Sequence, residues 1–287
     1  MKADSQSESR TLYLECHSGI SGDMTVGALL DLNIMTLEEL NNELDKLGID
    51  GQWETGCERV IKNGISAAKF DVHDLENDHG HTHAHTDGDP HHHHNDGDEG
   101  HTHSADHGSE HSHNHGHHHR TYTSIKNMIE DSGLDSSVQK DAVAMLKVIG
   151  EAEAAIHGMK LDQVHFHEVG AIDSIIDIVS TAILMNRLNP DKVLSTPIPV
   201  GNGQIHIDHG LYPVPAPATL AILKGVPIKQ TDVKSELTTP TGAAIVKHYV
   251  DKFSGFPDMT VQNIGYGAGT KTFPKVPNVV RMTVGSH

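Results

Sequence analysis

The stretch from residue 76 to residue 119 limits what this chain can fold into more than any other. By count it holds 17 of the 26 histidines and nine of the 39 Asp and Glu residues, with no Lys, Arg or aromatic side chain. Runs such as HGHTHAHTDGDPHHHH and HSHNHGHHH cannot bury enough apolar surface to offset the entropy of ordering them. The fold must therefore be assembled from residues 11–75 and 121–287 of the 287, with 76–120 read as a disordered metal-binding insert. Residues 1–10, MKADSQSESR, read as a disordered leader.

Charge and composition exclude several classes. A net charge of −18, without any Lys/Arg cluster, argues against a nucleic-acid partner, which needs a basic surface to offset phosphate. Cys16 and Cys57 are the two cysteines, which gives no disulfide framework and suits a reducing compartment. No apolar run approaches the about 18 residues of a membrane span. The expectation is a cytoplasmic protein with no membrane partner.

Outside the insert, helical and strand patterns alternate, which predicts an α/β or α+β domain with a mixed sheet and packed helices. TLYLEC (11–16) has strand character, and helices are expected at 24–32 and 37–47. Asn63-Gly64 between two strand-like runs predicts a hairpin over 52–74. Further helices are expected at 124–131, 136–157, 171–188, 216–225 and 240–253, with strands at 192–200, 259–266 and 278–284. Strand order cannot be read from these patterns.

Four stretches carry chemistry. In HFHEVGAIDSIID (165–177), an extended segment would point His165 and His167 to one side, with Glu168 at the corner. Asp173 and Asp177 are four apart and share a face of the following apolar helix. Asp173 could equally offset the helix dipole from the first turn. Asp177 lies a turn deeper, where an unpaired carboxylate is costly and calls for a cation. These five residues are the predicted metal set, with His165, His167 and Glu168 also predicted to be catalytic.

CHSGISGDM (16–24) and ELTTPTGAAI (236–245) each place a small-residue turn before a helix. Free N–H groups there form an anion cradle, so Ser18, Gly19, Ser21, Gly22 and Asp23, and Thr238, Thr239, Thr241 and Gly242, are the predicted phosphate-binding residues. Plain capping by Ser21, Asp23 or a threonine is the competing explanation. His206, Asp208 and His209 fall in a Pro/Gly-rich segment read as a loop.

In the insert, alternating imidazoles give many labile sites for Ni, Zn or Cu, but the residues do not choose among these metals. The predicted ligands there are His81, His83, His85, His91, His92, His93, His94, His113, His115, His117, His118 and His119.

Taken together, CHSGISGDM, HFHEVGAIDSIIDIV, PVGNGQIHIDHGLYPVPAPAT, ELTTPTGAAI and the internal His tract resemble the LarC family of nickel-pincer cofactor biosynthesis. The resemblance implies nickel(II), as substrate metal, inserted into pyridinium-3,5-bisthiocarboxylic acid mononucleotide. The product is the (SCS)Ni pincer cofactor used by lactate racemase, so the activity implied is that of a nickel chelatase of the lyase class. It also implies CTP with Mn(II) or Mg(II), held by a C-terminal domain that is expected to lie beyond this chain. The partners expected are therefore the mononucleotide, a companion C-terminal domain or polypeptide, lactate racemase as recipient, and further copies in a homo-oligomer. Two alternatives remain at this level: a non-enzymatic nickel carrier or store, and a metal-dependent hydrolase. A P-loop GTPase is excluded by the missing Gly-Lys-Ser/Thr.

Overall fold

The computed structural model describes residues 9–75, 120–166, 171–207 and 210–286. The leader through residue 8, the His-rich insert, residues 167–170 and Asp208-His209 lie outside the described residues. The predicted ligands of the tract, with His167 and Glu168, therefore lie outside the described residues.

In chain order, β1 (Arg10–Glu15) runs through a tight turn into α1 (Gly22–Asp31), followed by α2 (Leu37–Leu44). Thr36 and Glu39 form a reciprocal capping box at α2, and Gly48 ends the following 3-10 turn at φ 69°. The expected hairpin is β2 (Trp53–Lys62) and β3 (Ile65–Asp74), joined by Asn63 and Gly64 at φ 49° and 85°. Both turn residues are left-handed, as this hairpin turn requires.

Next come α3 (Tyr122–Glu130), α4 (Ser136–His157) and α5 (Ile172–Leu188). The strand expected over 192–200 is two strands, β4 (Lys192–Ser195) and β5 (Ile198–Val200), in different sheets. Pro197 supplies no N–H at the break, so the ladder stops there. The expected Pro/Gly-rich loop is a hairpin of β6 (Gln204–Ile207) and β7 (Gly210–Pro213). Then α6 (Pro217–Ile222) leads to β8 (Ile228–Gln230), which pairs with β5.

The helix expected over 240–253 is shorter, α7 (Pro240–Tyr249). Asp251 ends it: its backbone N–H bonds to Val193 O at 2.9 Å and its carboxylate accepts from Val193 N at 2.8 Å. This draws β9 (Lys252–Phe253) onto β4. β10 (Thr260–Ala268) and β11 (Val279–Ser286) complete the described chain.

Seven strands form one mixed sheet in the order β2-β3-β10-β11-β1-β4-β9. β3–β10, β1–β4 and β4–β9 are parallel, and the remaining neighbours are antiparallel. Closest to the sheet is α1, because Gly265 and Gly267 on β10 leave no side chain between them. A Cβ on Gly267 would stand 1.8 Å from Met24 O. α5 packs among α1, α2, α4 and α7, and most of its apolar run is buried. Behind β1, Tyr13 meets Phe256 edge-on at 5.0 Å and donates to Ser254 O at 3.1 Å.

Candidate functional site

The turns after β1 and before α7, predicted as two separate cradles, are locked together. Ile20 and Thr238 form a parallel bridge: Ile20 N bonds to Leu237 O at 3.1 Å, and Thr239 N to Ile20 O at 3.2 Å. Glycine makes the approach possible. Gly19 sits at φ 96°, where a Cβ would lie 1.8 Å from Leu237 O, and a Cβ on Gly242 would lie 2.0 Å from Ile20 O.

Beside this junction the first turns of α1, α5 and α7 open on one cavity of about 350 Å³. α1 contributes Ser21, Gly22 and Asp23; α5 contributes Asp173, Ser174 and Asp177; α7 and its cap contribute Thr239, Pro240 and Thr241. Lys69 to Val72 of β3, with Glu236 and Thr270, complete the wall. Three helix N-termini thus present their positive ends to one space.

Ser18, Gly19, Thr238 and Gly242, the predicted cradle residues outside the lining, serve the scaffold. Ser18 Oγ donates to Pro277 O at 2.6 Å and Thr238 Oγ1 to Pro199 O at 2.9 Å, so both hydroxyls are turned into the protein. Gly19 and Gly242 provide the close approach. Thr239 caps α7 by accepting from Gly242 N at 3.2 Å.

Carboxylates dominate the wall. Ser21, the cap residue of α1, makes no side-chain capping bond. Instead Asp177 reaches across from α5 and takes a backbone hydrogen bond from Asp23. Gly22 makes room, since a Cβ there would meet Asp177 Oδ2 at 2.3 Å. The other oxygen, Asp177 Oδ1, is buried without a partner. Burial, then the charges of Asp23 and Asp173, push the Asp177 carboxyl well above its ordinary value.

Asp173 stands at the mouth with its side chain open to water, and Ser174 N donates to its Oδ1 at 2.7 Å. Burial of its inner side, with Asp74 and Asp23, raises it against that bond, an effect water access weakens. Glu236 is raised by burial, partly offset by hydrogen bonds from Thr219 and the Ala216 backbone and by Lys271.

One cation answers these groups among the described wall residues. Lys69 is 8% exposed, and its Nζ donates to Asp23 Oδ2 at 3.1 Å, Phe70 O at 2.9 Å and Asp71 Oδ1. Burial alone would lower its pKa, but Asp23 and Asp71 outweigh that and hold the ammonium above its ordinary range. All three of its protons are engaged. Lys69, Asp71, Glu236 and Thr270 were not anticipated from sequence. The one available signal was the spacing of Lys69 and Asp71, which puts both on one face of a strand.

The predicted metal set is only partly gathered. Asp173 and Asp177 line the cavity, whereas His165 is exposed, its backbone bridged to Thr121, and lies outside the lining. Among the described residues, no three His, Cys, Asp or Glu side chains are grouped to hold a metal ion. Cys16 is buried against Ser195, and burial pushes its thiol up to about 12. Cys57 is exposed.

The nickel insertion protein model matches residues 12–287, which includes every wall of the cavity. The chain belongs to the nickel insertion protein family. It is 46% identical over 281 residues to a pyridinium-3,5-bisthiocarboxylic acid mononucleotide nickel insertion protein of Geobacillus kaustophilus, covering 97% of this chain and 60% of the relative. Proteins of the same name are 42% identical in Staphylococcus epidermidis (95% of this chain, 58% of the relative) and 40% identical in Clostridium kluyveri (97% and 62%). This family member thus spans about 60% of the length of the curated relatives it matches. No solved structure matches it.

Proposed function

We propose that this protein takes part in inserting nickel(II) into pyridinium-3,5-bisthiocarboxylic acid mononucleotide, and that the cavity beneath α1, α5 and α7 is where the two meet. One observation carries the reading: a single space joins three helix N-termini to a wall rich in carboxylates. The N-termini suit the phosphate of a mononucleotide, held by Ser21, Gly22, Thr239 and Thr241. The carboxylates of Asp173 and Asp177 suit a cation, and the unpartnered Asp177 Oδ1 is an oxygen that lacks one.

His167 and Glu168, outside the described residues, keep the roles expected from sequence, as nickel ligands and catalytic groups. Exposed His165 suits uptake from solvent, not the inner set. The tract histidines gather nickel and raise its local concentration.

CTP with Mn(II) or Mg(II) rests on the family resemblance: Asp173 and Asp177 would be the carboxylates to hold such a metal, while Lys69, the lysine among the described wall residues, already has its donors engaged. A companion domain, a homo-oligomer and a lactate racemase recipient rest on the family resemblance. Among the described residues no helix is long and apolar enough to cross a membrane.

The test is reconstitution from purified mononucleotide, nickel(II) and CTP, with this chain alone and with the remaining portion of a longer relative. A nickel–sulfur charge-transfer band in either supports the reading. Absence of both the band and saturable mononucleotide binding refutes it. The His tract favours a second reading, a nickel carrier, for which nickel binding without mononucleotide binding is the expected result.

A further inference from the structure

We infer that Glu236 is the base that takes the ring proton when nickel is joined to carbon. The inference rests on the insertion reading above. In an S–C–S pincer, nickel is held by two thiocarboxylate sulfurs and by the ring carbon between them. With the sulfur groups at ring positions 3 and 5, that carbon is position 4, and it carries hydrogen before insertion. The C–H bond breaks, its electron pair becomes the nickel–carbon bond, and the metal remains nickel(II). The proton must leave to a base, and the step needs no oxidant or reductant.

Among the described residues five carboxyl groups line the cavity, and four are committed elsewhere; Glu168, predicted to be catalytic, lies outside the described residues. Asp23 and Asp71 share the Lys69 ammonium, so both carboxylates are already paired. Asp177 is pressed against Gly22 and bonded to the first turn of α1. Asp173 sits in the open mouth, holding Ser174 N, where water competes for any proton.

Glu236 differs in its supports. It stands in the segment that enters α7, three residues before the cap Thr239, so it adjoins the proposed phosphate cradle. From behind, α6 holds it with neutral donors: Thr219 Oγ1 at 3.2 Å from Oε1, and the Ala216 backbone N–H. The ammonium whose charge acts on it, Lys271, is itself bonded to Ser235 Oγ at 3.0 Å. A carboxylate fixed by two neutral hydrogen bonds and partly shielded from water keeps a free lone pair for the cavity. Burial also raises its proton affinity, as a base working near neutral pH requires. The charged groups that face it are Lys271 from the β10–β11 connection, Lys69 and Asp71 from β3, Asp23 from α1, and Asp173 and Asp177 from α5.

The experiment compares wild type, Glu236→Gln and Thr219→Val in single-turnover insertion, using mononucleotide with hydrogen or deuterium at ring position 4. Mononucleotide and nickel binding are measured separately by calorimetry. Glu236→Gln should slow insertion by about 10²–10⁴-fold with both affinities within about twofold, and the deuterium isotope effect should increase. Thr219→Val removes a bond to the charged form, so the acid limb of the rate–pH profile should move to higher pH. Insertion by Glu236→Gln at the wild-type rate, or a loss confined to binding, overturns the assignment. Wild type that binds no mononucleotide overturns the insertion reading itself, and with it this inference.

Discussion

Asp177→Asn should make the folded protein more stable at pH 8 and leave it unchanged at pH 4. The side chain keeps its volume and its place against the first turn of α1. What it loses is a charge raised in energy by burial and by Asp23 and Asp173, with Oδ1 unpartnered. Because the folded carboxyl titrates above the ordinary 3.8, the folded protein keeps a proton that the unfolded chain gives up. Its contribution to stability is therefore full below that ordinary value and declines as pH rises towards the folded value. The slope is at most about 1.4 kcal/mol per pH unit. A buried polar group left unsatisfied costs about 1–3 kcal/mol, more when charged. For a domain of this size that corresponds to a rise of roughly 2–10 °C in Tm at pH 8. Differential scanning calorimetry at half-unit steps from pH 4 to 8 measures it, with Asp177→Ala to separate charge from volume. If Asp177→Asn melts at or below the wild-type temperature at pH 8, the bond to α1 outweighs desolvation and Asp177 is a structural cap. The cation-site argument then loses its main support.

Four further outcomes are expected. Lys69→Met strips Asp23 and Asp71 of their shared cation. It should cost towards the low end of the about 3–5 kcal/mol seen for a buried charge that loses its partner, since Asp71 reaches water; urea denaturation reads it, with recovery in acid. Gly242→Ala forces a Cβ to 2.0 Å from Ile20 O and should cost about 1–3 kcal/mol by the same assay, loosening both cradles together. Replacing residues 76–119 with a short Gly/Ser linker should leave Tm unchanged, because Leu75 N and Arg120 Nη2 both already bond to Gln52, at 2.9 and 2.8 Å. The same variant should need more free nickel for insertion. Iodoacetamide at pH 8 should label Cys57 and spare buried Cys16, read by intact mass.

Local signals carried the fold further than they carried the site. Asn63-Gly64, Gly48 and Gly158 each mark an element end that the sequence shows plainly, because one residue's backbone freedom decides it. The early end of α7 depends on Asp251 meeting Val193, a contact across 58 residues that no window contains. The two small-residue turns and the two aspartates were legible as chemistry. That they form one site rests on the Ile20–Thr238 bridge and on the fit of Gly22 to Asp177. Half the predicted cradle proved to be the fastening, because a hydroxyl next to a helix start can face either way. Lys69 and Glu236 went unmarked because a lone charge in a strand or loop is ordinary until a cavity surrounds it.

The wall's composition would be self-defeating for a simple ligand. Three helix N-termini and a lysine attract anions, and five carboxyl groups beside them repel the same anions. Such a surface lowers its energy with a ligand that is itself divided: a phosphate at one end, and at the other a cationic ring and a divalent metal. The pyridinium mononucleotide named for the relatives, met by nickel, has that division of charge. Neither part alone satisfies the site, since phosphate alone leaves Asp177 unpaired and metal alone leaves the N-termini unanswered. Nickel and mononucleotide should therefore each strengthen the other's binding, by the same factor in both directions. Equal affinities in the presence and absence of the other component would mean that the two ends of the cavity do not act as one site.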